Sequence, residues 1–301
     1  MAPTDISTEL AASVDLLLER WHLEPDGAAF ATATSVLAPA RRDGAPVMVK
    51  IATHVEESRG NAVMLWWNGH GSARVLEHDA DSVLLERAIG SRSLVAMAEA
   101  ASAGVAANVS DCAADDEATR ILCETGMRLH ATAGIHRLAS VPVPELPTLP
   151  EWFAELFTHA AEVGGFHGRA AVIAGELLKD QHEVTVLHGD LHHGNVLDFG
   201  AASHPESDGW AAIDPKGLIG DRAFDFANIL CNPSADAALR PGRLARAVDV
   251  VAHTTGIDRL RLLRWAIAWC ALSSAWDARS GQVAAPALSV GLDAERLLDA
   301  A

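Results

Sequence analysis

Short apolar runs separated by turn signals fill the first ninety residues, and helical spacing governs the rest. Residues 7–20 place apolar side chains at helical intervals behind a Ser/Thr start and are predicted to form an opening helix. After the turn signal Pro25-Asp26-Gly27, residues 31–38 and 46–52 read as β runs, with Arg41-Arg42-Asp43-Gly44 as the hairpin between them. A helix is predicted over 56–67, ending at Asn68-Gly69, followed by strands over 74–79 and 82–88. From about residue 92 the chain turns Ala-rich, with helices predicted over 93–107 and 115–136. A linker marked by Pro142, Pro144, Pro147 and Pro150 leads to helices over 151–159 and 169–178. One apolar strand then runs into His188-Gly189-Asp190 and another resumes after Asn195, as a hairpin. A third strand ends at Asp214, and a helix is predicted to begin near Gly220 with Asp221 and Asp225 at its start. Helices over 243–254, 258–279 and 293–301 close the chain. The expected class is α+β in two lobes, a small β-rich one over 1–90 and a larger α-rich one over 91–301.

Composition narrows the partners. The 301 residues, half of them hydrophobic, suffice for a two-lobed core and argue against global disorder. A net charge of −17, with no Lys/Arg-rich face, argues against nucleic acid and suits a cationic small molecule. Cys112, Cys123, Cys231 and Cys270 form no C-x-x-C pair and read as reduced thiols. There is no signal-type segment at the N-terminus, and no run reaches the ~18 apolar residues of a membrane span. The expectation is a soluble cytoplasmic protein with no membrane partner.

The chemistry concentrates between residues 186 and 214. Asp190 and Asn195 are five residues apart, the offset of base and metal-binding Asn in the kinase catalytic loop, and Asp214 stands where a second metal ligand is needed. Asp190 is expected to accept the proton of a substrate hydroxyl, and Asn195 and Asp214 to hold Mg²⁺ through hard oxygen donors. Lys50, inside an apolar strand, is assigned to the phosphates of ATP, with Glu57 preferred over Glu56 as its partner. A phosphate loop is expected near 25–31, where one glycine stands instead of a Gly-rich motif. Glu86 and Ala88 mark the expected hinge, where backbone groups would meet adenine. His192, Asp225 and Asp277 are candidates for substrate contact; for Asp225 the competing reading is a brace for the catalytic loop. A rival reading places zinc on His188, Asp190, His192 and His193.

The stretches 188–197 and 212–228 together resemble the aminoglycoside phosphotransferases, and within them the branch of streptomycin 6-phosphotransferases and hydroxyurea phosphotransferases. Leu65-Trp66-Trp67-Asn68-Gly69, Leu84-Leu85-Glu86-Arg87-Ala88 and Ser91-Arg92-Ser93-Leu94 carry the narrower likeness, which runs from about Trp21 to Trp276. The resemblance implies a bilobal protein-kinase-like fold, with 1–90 as nucleotide-binding lobe and 91–301 as catalytic and substrate-binding lobe. It further implies ATP and Mg²⁺ as cofactors, Asp190 as base, Lys50 as phosphate lysine, and phosphorylation of streptomycin on its streptidine ring, at the 6-position. The alternatives are a hydroxyurea or other small-metabolite kinase, and a non-catalytic kinase-like protein that binds cations.

Overall fold

The computed structural model describes residues 6–100, 109–139, 141–281 and 285–301. Helix α1 (Thr8–Arg20), capped by the Ser7 hydroxyl, lies on a sheet of β1 (Glu24–Pro25), β2 (Phe30–Ala31), β3 (Ser35–Arg42), β4 (Ala45–Ala52), β5 (Val75–Asp79) and β6 (Ser82–Glu86). The sheet order is β1-β3-β4-β6-β5, with β2 also on β3. The β3–β4 hairpin turns at Asp43 and Gly44, which both take positive φ (52° and 79°), the conformation a two-residue hairpin needs. The strand predicted over 31–38 begins instead at Ser35, because Phe30 and Ala31 form their own short pairing with Leu37 and Val36. Helix α2 (Val55–Trp67) packs beside β4 and β6 and ends at Asn68 in the left-handed conformation.

The second part is helical: α3 (Leu94–Glu99), α4 (Val109–Ala139), α5 (Leu149–Trp152), α6 (Ala154–Val163) and α7 (Gly165–Lys179), then α8 (Phe224–Ala227), α9 (Ala235–Ala238), α10 (Arg243–Thr255), α11 (Arg259–Arg279) and α12 (Ala285–Asp299). The end of the helix predicted over 93–107 lies outside the described residues. Between α7 and α8 run β7 (Val184–Leu187), β8 (Val196–Asp198), β9 (Trp210–Ala212) and β10 (Leu218–Asp221). Two expectations change here. The strands flanking the catalytic loop do not pair with each other: β7 pairs with β10, and β8 with β9. The stretch near Gly220 is a strand rather than a helix start, because residues 218–221 complete the ladder against residues 184–187.

Two apolar clusters fill the molecule. The smaller joins Val14, Leu17 and Trp21 to Val36, Val47, Val49 and Leu84. The larger runs through the helical part but also takes Val63, Met64, Trp66 and Trp67 of α2, and Val83 and Leu85 of β6. Helix α2 and strand β6 therefore tie the sheet to the helices.

Candidate active site

Ladder geometry brings the two candidate metal ligands together. Beyond the Val196↔Ala212 pairing, the Ile213 N–H donates to the Asn195 carbonyl at 2.9 Å, so Asn195 and Asp214 emerge at the same end of the β8–β9 ribbon. Asp214 has φ of 61°, uncommon for a residue with a side chain, and the chain turns sharply there. The Asn195 amide donates to the Asp190 carbonyl at 2.9 Å, which leaves its Oδ1 as the available donor atom. Together with the half-exposed Asp214 carboxylate this is an all-oxygen set suited to Mg²⁺.

Asp190 is held by one oxygen and open at the other. Its Oδ1 accepts from Asn228 Nδ2 at 2.9 Å, and Asn228 is itself fixed by Asn232 Nδ2 on its Oδ1 at 2.8 Å. Its Oδ2 lies 3.5 Å from Asn195 Nδ2 and 3.8 Å from His192 Nε2, with the side chain one-third exposed. His192 Nδ1 accepts from the Gly194 N–H at 3.0 Å, so the neutral ring carries its proton on Nε2, the nitrogen facing Asp190. An anchored carboxylate with one free oxygen fits a group that orients and deprotonates a hydroxyl.

Asp225 does not meet substrate. Its carboxylate is buried behind the loop, where it accepts from the N–H groups of His188 (2.9 Å) and Gly189 (2.8 Å) and from His130 Nε2 (2.8 Å). Burial pushes this carboxyl up, yet the His130 hydrogen bond and charge outweigh it and hold it below its ordinary value. The expected substrate contact is thus corrected to a loop brace, because no part of its side chain is exposed. Asp221, at the end of β10, is likewise structural, bound by the Arg261 guanidinium and the N–H groups of His182 and Ala223.

Zinc finds no site here. His188 Nε2 donates to the Ile213 carbonyl at 2.9 Å and Nδ1 accepts from the Asp190 N–H at 3.2 Å, so both nitrogens are committed, and burial holds the ring neutral. His193 is buried, and that burial lowers its pKa to about 3. Among the described residues no cluster of three or more His, Cys, Asp or Glu side chains is arranged to hold a metal.

Lys50 occupies the inner strand β4, paired across to Leu37 and Val83, so its burial is enforced from both sides. Its ammonium lies 2.6 Å from Glu57 Oε2 and 2.5 Å from Asp214 Oδ1. Glu57 is 2% exposed and Glu56 faces solvent, which settles the partner. Burial raises the Glu57 pKa, but the Lys50 charge and hydrogen bond, with Lys216 and the Thr34 hydroxyl, bring it down to about 2. Ser35 Oγ adds a bond at 3.1 Å.

Beside this pair a mostly apolar cavity of about 340 Å³ is bounded by Leu37, Met48, Met64, Leu85, Leu197 and Phe199, and it ends at Lys50 and Asp214. Glu86 and Ala88 are among the residues that line it. The Glu86 carboxylate turns away to the Arg74 N–H (2.7 Å) and His204 Nε2 (2.6 Å). The stretch 25–31 does not line the cavity; Thr32 and Ser35 do, while Asp26 is drawn off by Arg41 and Arg87. Asp277 sits on α11 beside Trp276, whose ring meets Trp152 edge-on at 5.4 Å. Among the described residues no hydrogen bond or ion pair links Asp277 to the catalytic loop.

Sequence reasoning missed Asn228, His130 and Lys216. Asn228 lies 38 residues from Asp190, which it anchors, and no local pattern announces it. Lys216 had a signal, since the chain contains only three lysines and this one follows Asp214 by two residues.

The family model described as aminoglycoside/hydroxyurea antibiotic resistance kinase matches residues 20–281. The chain is 43% identical to streptomycin 3''-kinase of Klebsiella pneumoniae, over 94% of this chain and 100% of that protein. It is 32% identical to streptomycin 6-kinase of Streptomyces glaucescens, over 94% and 88%. Similar solved structures include choline kinase from Streptococcus pneumoniae (TM-score 0.57, 11% identity, 98% and 100% covered). An aminoglycoside phosphotransferase from Streptomyces rimosus, in complex with ADP and streptomycin, gives TM-score 0.52 at 18% identity, with 89% and 99% covered. These neighbours share the protein-kinase-like fold. Matched over most of its length, the chain belongs to the aminoglycoside/hydroxyurea antibiotic resistance kinase family and is a phosphotransferase with an alcohol acceptor.

Proposed function

We propose that this enzyme uses Mg·ATP to phosphorylate a hydroxyl of streptomycin in the cytoplasm and so inactivates the antibiotic. The observation that carries the reading is that Lys50 and Asp214 line one apolar cavity together, while Asn195, hydrogen-bonded to Asp190, lies on the strand paired beside Asp214. Asp190 Oδ2 orients the acceptor hydroxyl toward the γ-phosphorus of ATP. It takes the hydroxyl proton as the new O–P bond forms and the bond from that phosphorus to the β–γ bridging oxygen breaks, with ADP leaving. Lys50, released from Asp214, lies along the nucleotide phosphates while Glu57 keeps it in place. Asn195 and Asp214 would hold magnesium, which would supply neutralisation of the phosphate charge. The net charge of −17 favours a polycationic acceptor over hydroxyurea, which is uncharged.

Identity of 43% to a 3''-kinase against 32% to 6-kinases favours the 3''-hydroxyl over the 6-position that the family branch implies. The test is ATP consumption against streptomycin, other aminoglycosides and hydroxyurea, with NMR of the product. A phosphorus coupling at the 3'' carbon supports this assignment, and a coupling at the 6 carbon returns it to the streptidine ring. Turnover of hydroxyurea alone overturns the substrate.

A further inference from the structure

We infer that Lys216 is a second phosphate-binding lysine, which contacts the γ-phosphoryl group during transfer; the inference rests on the proposed kinase reaction and adds a catalytic residue to it. The chain uses lysine sparingly. Of its 23 basic residues only Lys50, Lys179 and Lys216 are lysines. Two of these three converge on one buried carboxylate: Lys50 Nζ is 2.6 Å from Glu57 Oε2, and Lys216 Nζ is 3.4 Å from Glu57 Oε1. Structural ion pairs elsewhere in this molecule are made by arginine, as Arg243 on Asp115 and Arg92 on Asp198 show. An ammonium on a flexible stem is a compact charge that moves onto phosphate oxygens, where a guanidinium fork demands fixed geometry.

Lys216 is placed for such a movement. Its backbone N–H donates to the His188 carbonyl at 2.8 Å, which fixes its root to the loop that carries Asp190. A Cβ on Gly189 would stand 3.2 Å from the Lys216 Cβ, so the root of Lys216 lies close against the loop backbone. Its side chain is 26% exposed, whereas that of Lys50 is 8% exposed. Its charge is felt by Asp190 and Asp214 as well as by Glu57. The Lys50 ammonium already has two close carboxylates, but Lys216 has one long contact and room to leave it. With Lys50 on the inner phosphates, Lys216, rooted on the loop that carries Asp190, supplies a second cation on the side where charge shifts during transfer.

The experiment compares wild type, Lys216→Met and Lys216→Arg in streptomycin turnover, and in binding of Mg·ADP and of a non-hydrolysable Mg·ATP analogue. Lys216→Met is expected to lower kcat about 100-fold or more, the usual cost of one transition-state charge contact. Mg·ADP affinity should stay within about twofold and the analogue should weaken about tenfold, with partial recovery of kcat in Lys216→Arg. A kcat within about threefold of wild type overturns the inference. So does a parallel loss of ADP and analogue affinity, which is what a residue that merely steadies Glu57 would give. If wild type turns over no member of the antibiotic panel, the proposed substrate falls. The ratio of analogue to ADP affinity still decides the Lys216 assignment.

Discussion

Replacing Asp225 by Ala removes the acceptor of three buried donors at once: the N–H groups of His188 and Gly189 and the Nε2–H of His130. Each orphaned buried donor costs about 1–3 kcal/mol, and the three share one site, so their sum is taken at the low end, about 3–5 kcal/mol. At about 2 °C per kcal/mol for a chain of this size, the melting temperature should fall by about 6–10 °C. Total stability of domains is about 5–15 kcal/mol, so most of the variant remains folded at 25 °C and its kinetics can be read. There the loss should appear in kcat, about 100-fold, because the backbone that positions Asp190 loses its two anchors. Asp225→Asn keeps one acceptor oxygen and should recover roughly half of both effects. Calorimetry and steady-state kinetics on the same preparations provide the check. A melting temperature within 2 °C of wild type with kcat within about threefold would refute the bracing role. A rise in the antibiotic's KM alone would restore Asp225 as a substrate contact.

Further expectations follow from individual contacts. A Cβ on Gly60 would stand 2.3 Å from the Pro215 carbonyl oxygen, so Gly60→Ala should push α2 away from the Asp214 turn and lower kcat about tenfold, read beside an unchanged far-UV spectrum. His193 is held neutral, down to about 3, while the unfolded ring titrates near 6.5. The unfolded state therefore binds the extra proton between these values, so this contribution to stability is complete above about 6.5 and is lost as pH falls toward 3. Urea unfolding of His193→Leu should show a pH 7 to pH 5 decline about 2 kcal/mol smaller than that of wild type. Glu57, held at about 2 in the fold, contributes stability that is complete above about 4.5 and lost as pH falls toward 2; Glu57→Gln should flatten the unfolding curve in that acid window. Asp190→Asn should abolish transfer while leaving nucleotide affinity within about twofold, and activity near that of wild type would remove Asp190 as the base.

The parts of the site legible in the sequence are those whose spacing is imposed locally. Asp190 and Asn195 share one loop, and Asp214 ends the strand that pairs back to it, so linear spacing carried the geometry. The choice between Glu56 and Glu57 is not legible in the sequence, since the rotation of α2 against the sheet is set by tertiary packing. Asp221 is expected at a helix start because residues 218–221 carry no strand signal strong enough to reveal their pairing with 184–187, whereas Asp225 does lie in the first turn of α8. The same unseen ladder separated the two strands around the catalytic loop. Asp277 follows the Trp265, Trp269 and Trp276 face of α11, and helical periodicity does not say how far that face lies from Asp190. A phosphate loop is expected near 25–31, yet Thr32 and Ser35 reach the cavity, and Asp26 is drawn toward Arg41 and Arg87.

Scarcity of lysine turns the cleft into a target for covalent labelling. Lys179 stands exposed at the end of α7, and the other two side-chain amines of the chain both lie at Glu57. An amine-directed reagent thus carries its own reference: Lys179 reports dose, Lys216 reports whether the cleft is filled, and the ion-paired Lys50 reports whether the sheet has opened. Peptide mass spectrometry of one digest then separates ligand occupancy from unfolding without a mutation.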